Sequence, residues 1–197
     1  MDEAELLRRI AAKDPGAFKI LVDRFQNKVF GLCSRLLSHP QNAEDVAQDV
    51  FFQVYKSSGT FRHDCRVSTW IYRIAVNRCL NFNRDNRKFE QAGEPRRGVE
   101  NEAGSGPGFA ALDREDPAAA WTVNETRALI RKAVASLPEK QKTMLILNKF
   151  EGRSYQEIAG IMGVSVASVE SCLHRAKLRL QKKLAPRFPD FSRGRKL

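Results

Sequence analysis

The chain has 197 residues, with 34 Lys and Arg against 23 Asp and Glu, a formal net charge of +11 and 42% hydrophobic residues. That is enough apolar material for a core in one or two domains of ordinary size, and it excludes collagen-like, rod-like and wholly disordered chains. The longest apolar runs, such as Met144 to Leu147, fall far short of the roughly 20 residues a membrane helix needs.

The first residues, Met1-Asp2-Glu3-Ala4-Glu5, lack the basic-then-apolar pattern of a secretory signal, so the expected location is cytoplasmic. Four cysteines, Cys33, Cys65, Cys79 and Cys172, are scattered without a Cys-x-x-Cys pair; they read as reduced thiols, not a disulfide frame. Charge is unevenly placed: 15 basic and 10 acidic groups in residues 1–89, 3 and 8 in residues 90–125, and 16 and 5 in residues 126–197. The acidic middle also gathers Gly93, Gly98, Gly104, Gly106 and Gly108 with Pro95, Pro107 and Pro117, the composition of a flexible linker. The expected organisation is a helical domain at 1–89, an acidic linker at 90–124, a second helical domain at 125–185 and a disordered basic tail at 186–197.

In chain order, a short helix is expected over residues 3–12. Phe18, Leu21, Val22, Phe25, Val29, Leu32, Cys33 and Leu36 then recur at spacings of three and four, which predicts an amphipathic helix of about five turns. Asp14 can cap its free amides, and Pro15 suits the first helical position, where a missing N–H costs nothing. Pro40 and Asn42 open a third helix to about Lys56, with Val46, Val50 and Val54 inward and Ser57-Ser58-Gly59 as its stop. A fourth is expected from Thr69 to about Lys88, with Trp70, Ile71, Ile74, Ala75 and Phe82 giving much of its apolar surface. No alternating strand pattern stands out, so the fold class is all-α.

Two features of this first domain exceed what a helical core requires. Asp45, Gln48 and Asp49 lie three and four apart and form an acidic, exposed edge; from spacing alone the favoured reading is a solvated face. Arg73, Asn77, Asn81 and Arg84 form a stripe beside Phe61, Trp70 and Tyr72. Arginines meet phosphates, Asn amides bond base edges, and rings stack on unpaired bases at ~1–3 kcal/mol each. Trp70 fits a core anchor as well as a stacking platform.

In the second domain, Ser154-Tyr155-Gln156-Glu157 has the form of a capping box opening a helix through Met162. Gly163 supplies a positive-φ stop, and Ser165 can cap a further helix from Val166 to about Leu184. Ala159 is small enough for close approach, and Ile158, Met162, Val164, Val169 and Leu173 are apolar where the two helices must pack, so the pattern matches a DNA-binding helix-turn-helix, with an ordinary αα-hairpin as the alternative. Projected at about 100° per residue, Val169, Leu173, Ala176 and Leu180 share the buried face. Ala167, Ser171, His174, Arg175 and Leu178 oppose them, flanked by Ser168, Glu170 and Arg179. Arg can read guanine bidentately, Ser serves several edges, and Glu accepts from cytosine. With nine basic and two acidic residues in 166–197, duplex binding should depend strongly on salt.

One surface suited to single strands and one suited to duplex point to a family. The chain resembles the extracytoplasmic-function (ECF, group IV) sigma factors of bacterial RNA polymerase. The resemblance rests on the run Asp14 to Phe30, on Asn42-Ala43-Glu44-Asp45-Val46-Ala47-Gln48-Asp49-Val50-Phe51, on Ser68-Thr69-Trp70-Ile71-Tyr72-Arg73-Ile74-Ala75-Val76-Asn77, on Leu137-Pro138-Glu139 and on the helix-turn-helix from Tyr155 to Leu180. It implies that Asp45, Gln48 and Asp49 dock on the β′ clamp helices of core polymerase. It implies that the stretch Phe61 to Asn81 melts the minus-10 element and holds a flipped base, which needs a pocket that repays unstacking; Phe61, Asn77 and Asn81 are the leading residues, with Trp70, Arg73 and Arg84 around them. It implies a second domain that reads the minus-35 element through Ser168, Glu170, Ser171, His174, Arg175 and Arg179 and sits on the β flap. The linker resembles the segment that threads toward the active-site cleft and RNA exit path. Control by an anti-sigma protein, often membrane-anchored, is a further implication. Glu170 and Cys172 depart from the basic residues common at such positions, the loop Phe61 to Arg66 varies in the family, and the tail Arg187 to Leu197 has no counterpart.

Competing readings are weaker. His63, Cys65 and Cys79 fall short of the four ligands of a structural zinc site, so no metal is expected. A redox role for Cys65 would need a lowered thiol pKa. Gly104-Ser105-Gly106-Pro107-Gly108 imitates part of a nucleotide loop, but no strand precedes it and Pro interrupts it. No nucleophile–base pair is evident, so neither catalysis nor a cofactor is expected. The remaining alternative is a stand-alone helix-turn-helix regulator that binds duplex DNA without polymerase, for which the acidic edge and the Arg/Asn/aromatic helix would be redundant.

Overall fold

A computed structural model describes residues 2–37, 39–62, 64–91 and 120–188. Eight α-helices run through them, α1 (Glu3–Ala11), α2 (Pro15–Leu36), α3 (Pro40–Ser57), α4 (Val67–Gln91), α5 (Ala120–Ala135), α6 (Glu139–Lys149), α7 (Tyr155–Met162) and α8 (Val166–Leu184), with a single 3₁₀ turn at Ser58–Thr60. Among the described residues there is no strand, and none of the helices is long and apolar enough to cross a membrane. The chain divides into two compact units, the first holding α1 to α4 and the second built on α5, α6, α8 and the start of α7.

In the first unit the entry to α2 is made by Asp14, whose Oδ1 accepts from the N–H groups of Gly16 (2.8 Å) and Ala17 (3.1 Å). Its Oδ2 accepts from Arg9, through Nε at 2.8 Å and a terminal nitrogen at 2.6 Å. The bond from Arg9 is the main reason the Asp14 carboxyl is held below its usual range, with the cap amides adding to it. Lys13 turns the corner between α1 and α2 at φ 66°, and its ammonium lies 4.4 Å from the Tyr55 ring centroid. Phe18 meets the same ring edge-on at 5.1 Å, so the start of α2 lies against the end of α3 and the two helices are antiparallel.

Helix α4 is the centre of this unit. Cys79 touches Cys33 of α2, sulfur to sulfur at 3.6 Å, and four residues on the Asn83 amide donates to the Leu36 carbonyl at 3.4 Å. On its other flank Arg78 donates to Gln53 Oε1 of α3 at 3.0 Å. Packed by both neighbours, α4 buries Val67, Ile71, Tyr72, Ala75, Val76 and Cys79, a broader arc than the ~100° stripe of a one-sided helix. Two expectations change as a result. The helix starts at Val67, two residues before Thr69, because Val67 is itself drawn into the core. Tyr72, grouped with the stacking aromatics in the sequence, is 1% exposed and belongs to the core.

In the second unit α6 is central. Met144, Leu145, Ile146 and Leu147 are all buried, as in a helix surrounded by partners. Helix α8 follows the expected face: Val169, Leu173 and Ala176 are buried and Leu180 is half-buried. Its start is capped as expected, with Ser165 Oγ accepting from the Ser168 N–H at 3.2 Å. Ser165→Ala should therefore cost about 1 kcal/mol, the usual loss for such a cap, read as a lower denaturant midpoint for the second unit.

Most of the acidic linker at 90–124 and of the basic tail at 186–197 lies outside the described residues, as do His63 and Gly104 to Gly108. At the edges of those stretches α4 continues to Gln91 and α5 begins at Ala120, so helix extends into both ends of the segment read as linker. Beyond α8, residues 185–187 form a turn in which the amides of Ala185 and Arg187 bond the carbonyls of Gln181 and Leu184.

Candidate nucleic-acid interfaces

The first unit carries two distinct surfaces. On α3, Asp45, Gln48 and Asp49 are all exposed on the side opposite Val46, Val50 and Val54, which are buried. On α4, Asn77, Asn81 and Arg84 are exposed and Arg73 is half-buried. Arg84 Nε lies 3.4 Å from Asp85 Oδ1, an exposed pair of little energetic weight. Ahead of this stripe, the half-buried rings of Phe61 and Trp70 meet at 5.1 Å with their planes tilted by 47°. Trp70, Arg73 and Asn77 then follow at spacings of three and four along α4, on adjoining turns of one face. The aromatic pair and the amides of Asn77 and Asn81 thus lie along one face of α4, the composition that suits an unpaired strand.

The second unit presents the helix-turn-helix. Glu157 Oε2 accepts from the Ser154 N–H at 2.9 Å, and Ser154 Oγ accepts from the Glu157 N–H at 3.2 Å, the reciprocal bonds of a capping box. Arg153 adds an ion pair to Glu157 Oε1 at 3.2 Å. Gly163 turns the chain at φ +63°, a conformation costly for residues with a Cβ, while the Val164 N–H closes the end of α7 on the Ala159 carbonyl at 3.1 Å. On α8, Ala167, Glu170, Ser171, His174, Arg175, Leu178 and Arg179 are exposed and Ser168 is half-buried, so the expected reading face is presented as projected. Cys172 is 3% exposed and belongs to the core, not to the outward face of α8.

The Glu157 carboxyl is held below its ordinary value of 4.5, first by the bond from the Ser154 backbone and then by the Ser154 hydroxyl and Arg153, against an opposing effect of burial. A carboxylate whose folded pKa is depressed supports the fold above its ordinary value, and that support is lost as pH falls through the folded value. The thermal midpoint of the second unit should therefore drop on acidification below about pH 4.5, and Glu157→Gln, monitored by circular dichroism, should be less stable at neutral pH and flatter on the acid side.

Of the three residues in the metal grouping, His63 lies outside the described residues and the two thiols sit in different surroundings. Cys79 is fully buried against Cys33, whereas Cys65 is half-exposed at the approach to α4. Among the described residues no three His, Cys, Asp or Glu side chains are placed to hold an ion.

One residue that the sequence reading passed over belongs to the α3 surface. Phe52 is 60% exposed, the most exposed large apolar side chain among the described residues. It lies seven residues after Asp45 and three after Asp49, hence on their face. Projecting the helix from Asp45 would have found it, but the run Val50-Phe51-Phe52 reads as ordinary core when taken as composition.

These units define an all-α DNA-binding protein with a helix-turn-helix in its second half. The family model for Sigma-70 region 2 matches residues 21–89, and that for Sigma-70, region 4 matches residues 127–180. The RNA polymerase sigma-H factor of Pseudomonas aeruginosa is 35% identical over 188 residues, covering 93% of this chain and 94% of the relative. The ECF RNA polymerase sigma-E factors of Haemophilus influenzae and Escherichia coli K12 are each 32% identical and cover 94% and 92% of this chain, and 97% and 93% of their own lengths. Among solved structures, CnrH in complex with the cytosolic domain of CnrY has a TM-score of 0.66 at 20% identity, covering 93% of this chain and 97% of that one. The sigma factor RpoE in complex with the anti-sigma factor NepR, from Bartonella quintana, scores 0.61 at 23% identity and covers 85% and 96%; both share the fold. The chain belongs to the sigma-70 family of RNA polymerase sigma factors, ECF type. It acts as an initiation subunit that directs core polymerase to promoters, which sets aside the stand-alone regulator.

Proposed function

We propose a division of labour for this sigma factor: residues 1–89 bind core polymerase and the minus-10 element, residues 125–185 bind the minus-35 element, and residues 90–124 connect them. The observation that supports this reading is the presence of two chemically different surfaces, each suited in composition to nucleic acid. The aromatic–amide row of Phe61, Trp70, Arg73, Asn77 and Asn81, with Arg84 at its end, suits a melted strand, because stacking and edge bonds can replace those lost on unpairing. The exposed face of α8, with Ser168, Glu170, Ser171, His174, Arg175 and Arg179, suits the major groove, where the second helix of this motif reads base edges. Asp45, Gln48 and Asp49 cannot favour DNA phosphates; they serve as the edge that meets the β′ clamp helices, while the second unit also rests on the β flap.

On this reading the chain catalyses nothing and needs no cofactor or metal; the polymerase it joins performs the chemistry in the cytoplasm. An anti-sigma protein, in some cases membrane-anchored, would hold it inactive by covering the polymerase-binding surfaces, as its family membership suggests. The test is run-off transcription with purified core polymerase. Promoter-dependent transcripts are expected only when the chain is added. Tight binding to duplex DNA by the chain alone, with no initiation by core at any promoter, would overturn the proposal.

A further inference from the structure

We infer that Phe52 is the apolar anchor of the α3 docking face, seated in an apolar pocket ringed by basic residues on core polymerase. This rests on the reading of Asp45, Gln48 and Asp49 as the polymerase-facing edge and names the residue at its centre. On the projection of α3, Asp45, Gln48, Asp49 and Lys56 surround Phe52, and all are exposed. Helical side chains lean toward the N-terminus, so the ring inclines over the turn that carries Gln48 and Asp49. Lys56, one turn on, holds its ammonium 5.5 Å from the ring centroid. An aromatic ring inside a polar rim is the usual anatomy of a protein–protein contact. The core does not lack material, since Val46, Val50 and Val54 already fill the inner face.

Charge selects the occupant. Nucleic acid is excluded by the carboxylates beside the ring. A second copy joined through this face would set each acidic edge against its own image, because a two-fold contact is self-complementary and like charges repel. The chain's own residues 90–125, with 8 acidic groups against 3 basic, carry the same sign. A basic partner surface remains, and core polymerase is the partner this edge is read to meet.

The experiment is titration of the fluorescently labelled full chain with purified core polymerase across a range of salt. Phe52→Ala should weaken binding by about tenfold, with an unchanged salt slope and an unchanged unfolding midpoint, since the ring supports no core. Phe52→Leu should recover most of the loss. Replacing both Asp45 and Asp49 by Asn should weaken binding and flatten the salt slope. If Phe52→Ala stays within about twofold of the parent while the double Asn variant weakens, the ring is a bystander and the inference fails, with the edge reading intact. If neither matters, the edge reading itself fails. Loss of self-association in Phe52→Ala with undiminished binding to core would assign the ring to a second copy and also overturn the inference.

Discussion

Asn77→Ala is expected to leave binding to core polymerase intact and to slow promoter opening by roughly 5- to 150-fold, the equivalent of the ~1–3 kcal/mol that a bidentate amide-to-base contact contributes. The separation follows from where the residue sits. Asn77 is exposed on α4, and its neighbours Val76 and Cys79 are the residues that fill the core. Alanine is the best helix former, so the substitution keeps the helix and removes only the amide. The docking edge is on a different helix, α3. Permanganate reactivity of thymines in the melted region measures opening, and labelled-chain titration measures core binding. Equal loss in both would make Asn77 a structural residue and remove it from the strand-binding row. Asn81→Ala should behave in the same way, since it continues the row one turn further along.

The elements whose ends are chemically marked were legible in the sequence. Asp14, Ser154 with Glu157, and Ser165 each satisfy groups that a helix end leaves unpaired, and each does so in the structure, while Gly163 takes the positive φ that turns the chain after α7. Because those signals are local, tertiary packing could not override them. What the sequence concealed depends on neighbours. Met144 to Leu147 shows no amphipathic period, since α6 is covered on all sides, and the run registers only as too short for a membrane. Tyr72 lies next to Arg73 in sequence, yet it is 1% exposed and belongs to the core. Phe52 failed in the opposite direction: an aromatic beside Phe51 reads as core, and only the inward direction of Val46, Val50 and Val54 turns it outward.

For the candidate sites the same contrast holds. The outward face of α8 needs only one helix and its axis, so a projection from sequence puts Ser171, His174, Arg175 and Arg179 on the side turned away from the core, where they are exposed. Cys172 sits about 60° from Val169 on that projection, close enough for the core to claim it. The row on α4 needs a loop residue as well, and the pairing of Phe61 with Trp70 arises from the fold of the loop after the 3₁₀ turn. That pairing also bears on Trp70, which is half-buried and meets an aromatic partner with the two planes tilted by 47°.

Arg175→Ala is expected to reduce affinity for minus-35 duplex by roughly 5- to 150-fold and to relax base preference at one position, consistent with a loss of ~1–3 kcal/mol for a bidentate guanine contact. The exposed guanidinium stands beside His174, one turn beyond Ser171, on a helix whose opposite side is fixed by Val169, Leu173 and Ala176; the fold does not depend on it. A base reader and a phosphate clamp can be told apart here by two measurements. Arg175→Lys keeps the charge and loses the planar fork, so a base reader should be damaged nearly as much by Lys as by Ala, and selection from a randomised minus-35 library should lose information at a single position. A phosphate clamp should be rescued by Lys, show no change in the selected sequence, and in the Ala variant lower the salt slope by about one. Rescue by Lys together with an unchanged library profile would move Arg175 from recognition to positioning, leaving Ser168, Glu170, Ser171, His174 and Arg179 to carry the sequence preference.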